Sequence, residues 1–399
     1  MTPRVALFTD CFHDVNGVAL TCRQLSAFAQ RRGLPLLKVH AGPKDSFTRE
    51  TGIETLELRR TPVALRVESD LSFDFLLLRQ LSRTVELVRE FRPDVVHITA
   101  PGDFSILGAL VALGLRIPLA ASWHTNLHEF AARRLERMLA WMPRAAKRVG
   151  RWAERAALDR LLWFYSLPRL VFAPNRELMD VLAQRTGRPV MPMHRGVDTE
   201  VFSPDYRCRN SDDFVLGFAG RLRPEKNVRF LAELERALTC AGHLRYRFLI
   251  CGDGSERAWL QANLQRAHCV GVLRGTELSR AYANMDLFVF PSKTDTYGNV
   301  VQEAMASGVP AVVTSEGGPK YLVRHEESGF IAADDRQFIG FVLRAIRDRE
   351  AHSIMRLRAR RYALANSWDA VFDAVWAGYR DVLCKPVLLP DSACTVGSP

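Results

Sequence analysis

Short apolar runs recur along this chain, and most are followed by a stretch in which apolar positions return every three or four residues. "RVALFTD" (4–10) precedes a helical pattern that begins near Gly17, and "LPLLKVHAG" (34–42) reads as a second strand. "PDVVHITAPGD" (93–103) runs into the helical "FSILGALVALGL". "IPLAASWHTN" (117–126) precedes a long helical region, and "RLVFAPN" (169–175) precedes "RELMDVLAQRTG". Strand and helix in alternation predict a parallel sheet covered by helices on both faces.

The pattern restarts after residue 200. "DFVLGFAGRL", "RYRFLICGDG", "HCVGVL", "DLFVFPS" and "VPAVVTSEGG" open a second series. The segment 195–213 between the series is polar, contains Pro204 and has no periodicity, which marks a linker. The expected architecture is α/β, with two Rossmann-like, doubly wound domains facing across a cleft. We place the first at 1–197 and the second at 198–366. A last helix at 367–384, N-capped by Ser367, is expected to return to the first domain, and 385–399 to form a loose tail.

Composition narrows this picture in three ways. A length of 399 residues exceeds one ordinary core and fits two domains of ~150–200 residues each. No apolar stretch reaches eighteen residues, and the N-terminus enters a strand at once, so neither a spanning helix nor a signal peptide is expected. The expected location is the cytoplasm. The eight cysteines include no CxxC pair and read as reduced, mostly buried thiols. A net charge of +11 favours an anionic partner: nucleotide, nucleic acid or acidic membrane.

Ligands of open parallel sheets bind beyond the carboxyl ends of the strands, so the segments there carry the candidate chemistry. "GRLRPEKN" brings Arg221 and Lys226 together beside a helix start, an anion site suited to a diphosphate. A solvated charged turn is the plain alternative. "CGDGSER" offers Gly252 and Gly254 for a tight turn and a close backbone approach to a ligand, although the full GxGxxG pattern is missing. "TDTYGNVVQEAMASG" places Asp295 in a strand-to-helix loop, the amides of Gly298, Asn299 and Val300 at the helix start, and Glu303 one turn further on. A ligand with both phosphates and hydroxyls, such as a nucleotide sugar, would engage all of these groups, whereas Glu303 taken alone reads equally well as a cap or ion-pair partner. His124 in "SWHTN" follows a first-half strand, and Gly17 could offer its amide to a phosphate. A structural role is the alternative for both.

Several patterns are missing: a DxD pair, HExxH, Cys/His zinc spacing, GxSxG and the P-loop. No metal and no cofactor are therefore expected, and the charge of a departing diphosphate would fall to Arg221, Lys226 and helix dipoles.

From Gly217 to Gly318 the motifs "GFAGRLRPEKN", "LICGDGSE", "ANMDLFVFPSKTDTYGNVVQEAMASGVPAVV" and "EGGP" follow one another in an order that resembles the retaining glycosyltransferases of family four. The first half is similar more loosely, through "NGVA", "FRPDVVHITAPG", "SWHTN" and "RGVDTEVFSP". The resemblance is to the bacterial branch of mannosyl-, glucosyl- and sulfoquinovosyltransferases. It implies the GT-B fold and retaining transfer of a hexose from a GDP- or UDP-linked sugar to an acceptor hydroxyl on a lipid or glycan. Arg221 and Lys226 would hold the diphosphate, Glu303 the ribose, Asp295 the transferred sugar, and His124 the reacting centre. Gly17 would meet the diphosphate, and Val272 would lie where the base is seated. The family's first acid is usually Glu. Asp295 stands in its place, which implies an altered reach rather than lost activity.

"PRAAKRVGRWAERAALDRLLWFY" follows His124 and sets Arg144, Lys147, Arg148, Arg151 and Arg155 at helical spacing opposite an apolar stripe. A surface helix packed on its own domain explains this, and so does peripheral docking on anionic lipid. Nucleic-acid binding is not expected, because the basic residues are not interleaved with exposed aromatics in any recognisable module. Two other readings of the whole chain remain: a nucleotide-sugar epimerase or hydrolase on the same scaffold, and a non-catalytic nucleotide-sugar-binding protein.

Overall fold

The computed structural model describes residues 2–124, 155–208 and 212–384, apart from 15, 63, 67–71, 157 and 296. The chain divides into two compact units. One runs to His194 and takes up the chain again from Val371, and the other is Arg195–Ala370.

The strands of the first unit are β1 (Val5–Thr9), β2 (Leu36–Ala41), β3 (Ser46–Glu50), β4 (Ile53–Leu58), a two-residue pair β5 (Leu65–Arg66) and β6 (Ser72–Phe73), then β7 (Val95–Ile98), β8 (Leu119–Ser122), β9 (Leu170–Ala173) and β10 (Val190–Pro192). All but β5 and β6 join one sheet, in the order β10-β9-β8-β7-β1-β2-β4-β3. Pairing is parallel except at the edge, where β3 runs antiparallel to β4. The parallel strands β7, β8 and β9 are buried at every position, because helices cover both faces and unbroken apolar runs then become favourable. The edge strand "SFTRE" carries charge and is half-exposed or exposed, which blunts its open hydrogen-bonding edge. Helices among its described residues include α1 (Gly17–Arg31), α2 (Leu81–Phe91), α3 (Asp103–Leu115) and α4 (Arg176–Thr186), with further helical residues at 158–165.

The second unit has six parallel strands: β11 (Phe214–Ala219), β12 (Tyr246–Cys251), β13 (Ala267–Gly271), β14 (Leu287–Phe290), β15 (Ala311–Thr314) and β16 (Gly329–Ala332). Their order is β13-β12-β11-β14-β15-β16. Counted from β11 this is the 3-2-1-4-5-6 order of a dinucleotide-binding sheet, and it reverses between β11 and β14. Its helices are α5 (Phe230–Cys240), α6 (Arg257–Asn263), α7 (Gly275–Ala283), α8 (Asn299–Ala306), α9 (Asp335–Arg347) and α10 (Arg349–Ala365). Phe214, Phe218, Phe248, Phe288 and Phe290 fill its core with no exposed surface to speak of.

The last helix, α11 (Trp368–Cys384), starts where the Ser367 hydroxyl accepts from the Ala370 amide at 3.2 Å. It packs on the first unit. Phe372 and Trp376 lie 5.6 and 5.4 Å from the ring of Phe28, and the Tyr379 hydroxyl meets His97 Nδ1 at 2.5 Å. Two details differ from the sequence reading. The β3–β4 hairpin has no apolar run in its first strand to announce it, and Cys208, Cys240 and Cys384 are exposed while Cys11, Cys22 and Cys251 are buried. The thiols described are thus not mostly buried.

Phe372→Ala should cost ~3–5 kcal/mol, since it empties a fully buried aromatic site between α11 and α1. Leu383→Ala, on the same helix but 40% exposed, should stay within ~0.5 kcal/mol. Urea unfolding followed by tryptophan fluorescence measures both.

Candidate active site

The strand order places the candidate residues of the second unit before any side chain is considered. The loop after β11 carries Arg221 and Lys226, and the loop after β14 carries Asp295, so the two loops flank the reversal point. Lys226 Nζ and Asp295 Oδ1 are 2.5 Å apart, with side-chain exposures of 13% and 17%. Thr294 donates to the Glu225 carbonyl at 3.1 Å, and the Asn227 amide to the Pro291 carbonyl at 3.4 Å. Three contacts therefore lace the loops together across a large gap in sequence.

Both loops are braced from outside. Gly220 N–H donates to Cys251 O and Leu222 N–H to Asp253 O, each at 2.9 Å, while Glu256 N–H donates back to Leu222 O at 2.9 Å. A Cβ on Gly252 would lie 1.9 Å from Gly220 O, and one on Gly254 2.2 Å from Leu222 O. These glycines thus permit a close approach to the neighbouring loop of the same sheet, a role that the sequence did not announce. On the other side Gly318 N–H donates to Asp295 O at 2.7 Å, and Gly317, at φ +72°, passes where a Cβ would meet that oxygen at 2.8 Å.

Arg221 is exposed, and its guanidinium has no ion-pair partner among the described residues. Only the short 3-10 turn Pro224–Lys226 follows it, and α5 starts at Phe230. The two cations therefore stand on the loop rather than beside the first amides of α5. The helix start that faces this region is that of α8, where Gly298 at φ +93° is the N-cap and no side chain caps it. Asn299 and Val300 occupy its first turn with their amides uncapped by side chains, an arrangement that favours an anion. Three buried acceptors of this junction, Ser292 Oγ, Asp295 Oδ2 and Asn299 Oδ1, find no hydrogen-bond partner among the described residues.

Glu303, one turn into α8, accepts from the hydroxyl of fully buried Tyr282 on α7 at 2.8 Å. Burial raises its carboxyl above the usual range, against the opposing effect of that hydrogen bond. Tyr282 escaped the sequence reading because a tyrosine among apolar residues of a helix reads as core, which it also is. Val272 follows β13 and is 61% exposed.

Gly17 and His124 belong to the first unit and the other eight candidates to the second. Gly17 opens α1, whose N-cap Asn16 accepts from Ala19 N–H. His124 Nε2 lies 2.7 Å from Ser122 Oγ, which lies 2.8 Å from His97 Nε2, and His97 Nδ1 is the atom held by Tyr379. Burial, with His124 adding to it, pushes His97 down to about 3, so the ring stays neutral and passes hydrogen bonds from α11 to His124. Nothing in the spacing of these residues announces this chain, because β7, β8 and α11 bring its members together. The basic stretch 144–155 lies outside the described residues except for Arg155, which is exposed.

Residues 15–201 match the family described as Glycosyltransferase Family 4, and residues 213–348 the one described as Glycosyl transferases group 1. The chain belongs to these glycosyltransferases. It is 33% identical over 313 residues to a GDP-mannose-dependent alpha-mannosyltransferase of Mycobacterium tuberculosis, covering 75% of this chain and 76% of that one. A protein of the same description from Corynebacterium glutamicum is 28% identical over 399 residues, covering 97% and 91%. The structure of Anabaena HepE in complex with UDP superposes with a TM-score of 0.63 at 17% identity, over 95% of this chain and all of that one. The fold is GT-B, as the motif resemblance implied, and the protein is a hexosyltransferase that uses a nucleotide sugar.

Glu303→Gln separates stability from function. A carboxyl raised in the folded state costs stability as pH rises from the unfolded value near 4.5, and restores it as pH falls again. The glutamine variant should therefore melt higher than the parent at pH 8, with the gain shrinking toward pH 4.5. Differential scanning calorimetry across that range reads it, and an equal gain at both ends would contradict the assignment.

Proposed function

We propose that the protein transfers a hexose of mannose or glucose type from a GDP- or UDP-linked donor to a hydroxyl of a lipid or glycan acceptor, with retention at the anomeric carbon and without a metal. The supporting observation is the Lys226–Asp295 pair at the sheet's reversal point, next to a helix start without a side-chain cap. A ligand carrying both a diphosphate and sugar hydroxyls satisfies both members of that pair at once, the anion on Lys226 and the hydroxyls on Asp295. Simple anions would release Lys226 but leave Asp295 unpaired.

In this reading Arg221 and Lys226 meet the growing charge on the leaving diphosphate, with the amides of Gly298, Asn299 and Val300 and that of Gly17 as further donors. Asp295 orients the transferred sugar, Glu303 accepts from the ribose, and Val272 lies toward the base. His124, held by Ser122, contacts the sugar near its reacting carbon. No side chain is assigned as a nucleophile. The acceptor attacks the face from which the diphosphate leaves, and a phosphate oxygen takes its proton. The names of the two mannosyltransferase relatives favour GDP-mannose as the donor.

Arg221→Ala should lower kcat/KM by ~100–1,000-fold, the usual loss on removing one donor to a developing oxyanion. Incubation with GDP-mannose or UDP-glucose and a lipid or glycan acceptor, with the product's anomeric configuration read by NMR, measures it. Full turnover by the variant removes the proposed role, and an inverted product removes retention. Sugar release or isomerisation without an acceptor replaces transfer by a hydrolase or epimerase activity.

The basic stretch 144–155 is proposed to bring the chain to the cytoplasmic face of an anionic membrane, where lipid acceptors lie. Flotation with phosphatidylglycerol vesicles should retain the protein at low salt and release it as salt rises. Equal flotation with neutral vesicles would remove this contact from the reading.

A further inference from the structure

The carboxyl-terminal edge of the first sheet holds a cluster to which the proposed transfer assigns no role. Thr9, the last residue of β1, pairs in register with His40 near the end of β2, and His40 pairs with Glu57 near the end of β4. His13, in the loop after β1, points its Nε2 at Glu57 Oε1 at 3.0 Å. One ligand-type atom from each of His13, His40 and Glu57 lies within 4.8 Å of the other two. We propose that this trio binds a divalent transition ion of the zinc type, and that the ion pins the loop after β1 to the edge of the sheet.

The strongest argument comes from His40. The residue is 1% exposed, yet its Nε2 has no hydrogen-bond partner among the described residues. Its Nδ1 lies 3.0 Å from the Ala41 carbonyl, and a carbonyl only accepts, so Nδ1 carries the proton. The opposite nitrogen then presents a lone pair. A backbone carbonyl that fixes one imidazole nitrogen while the other coordinates is the usual outer-shell arrangement of metal-bound histidine. Left unmatched, a buried acceptor of this kind costs ~1–3 kcal/mol.

The rest of the trio fits the same chemistry. Glu57 is held from behind by the Ser46 hydroxyl, which donates to Oε2 at 3.1 Å and leaves Oε1 directed to His13. Gly42 leaves room for this carboxylate, since a Cβ there would lie 2.8 Å from Glu57 Cβ. Two imidazoles and one carboxylate suit zinc and leave a further position for water. One neighbour opposes binding: Lys38 Nζ sits 4.8 Å from the centre of the Phe12 ring, which stacks on His40 at 4.3 Å and meets His13 edge-on at 5.6 Å. Its charge lowers affinity for any cation, so binding is expected to be readily reversible.

The test uses the full-length protein, freed of metal with a chelator and then titrated with Zn2+ by calorimetry and with Co2+ by absorption. The expected result is one equivalent taken up with d–d bands and without the thiolate charge-transfer band that exposed cysteines would produce. His13→Ala, at an exposed position whose loss the fold tolerates, should abolish that equivalent. Glu57→Gln should weaken it at least ~10-fold, and Ser46→Ala by ~10-fold or more through the outer shell. Absence of uptake, uptake unchanged in His13→Ala, or a thiolate spectrum overturns the proposal. None of these readouts depends on glycosyl transfer, so its failure and that of the proposed function remain separate.

Discussion

Backbone contact between the loops after β11 and β12 is the constraint on which the second unit's site depends. Hydrogen bonds from Gly220 and Leu222 to Cys251 and Asp253 hold the Arg221 loop at a fixed height above the sheet. They form only because Gly252 and Gly254 have no Cβ to keep the two backbones apart. With that loop fixed, Lys226 meets Asp295, Thr294 reaches Glu225, and the start of α8 is aimed by its neighbours rather than by a capping side chain. The rigidity resides in main-chain groups, which leaves the charged side chains available to rearrange around a ligand.

The same region carries the unit's unfavourable terms. Asp295 Oδ2, Asn299 Oδ1 and Ser292 Oγ go unmatched, and Glu303 is held where burial works against its ionised form. A sheet with Phe288 and Phe290 beneath these loops has enough apolar burial to tolerate such costs. The unmatched Asp295 and Asn299 oxygens accept only, so a hydroxyl-type donor is what would satisfy them.

Much of this was legible in the chain. Strand-then-helix alternation sufficed for two parallel α/β units, and the motifs from Gly217 to Gly318 sufficed for the family. Asp295 and Glu303 stood out because acids rarely follow a buried strand without reason. What could not be read were partnerships made by register and long-range packing. Lys226 and Asp295 read as separate ligands of a donor, and nothing in the spacing showed that they also pair with each other. Gly252 and Gly254 read as room for a ligand's approach, and nothing in the sequence showed that they also let two loops pack. Tyr282 carries no motif, since its role arises where α7 meets α8, and neither do Ser122, His97 and Tyr379, whose roles arise where β8, β7 and α11 meet. His13, His40 and Glu57 are likewise invisible to any zinc-spacing rule, because three separate segments supply them.

The two sheets share a strand order around their reversal points but place opposite chemistry there. Beyond β11 and β14 stand cations and helix-start amides. Beyond β1 and β7 stand two buried acids, Asp10 and Asp103, with Arg60 bound to Asp103 through two contacts of 2.9 and 2.8 Å. Burial and the neighbouring Asp103 raise the Asp10 carboxyl well above its ordinary range. Burial also pushes Asp103 up, but hydrogen bonds from Arg60 and Asp10 bring it below the ordinary carboxylate range. Phe104 N–H and the Ser105 hydroxyl donate to Asp10, and Gly102 passes where a Cβ would fall 2.3 Å from that carboxyl. The first unit thus fills its reversal point with its own paired acids and Arg60. That charge difference, more than any difference in strand order, distinguishes the two reversal points.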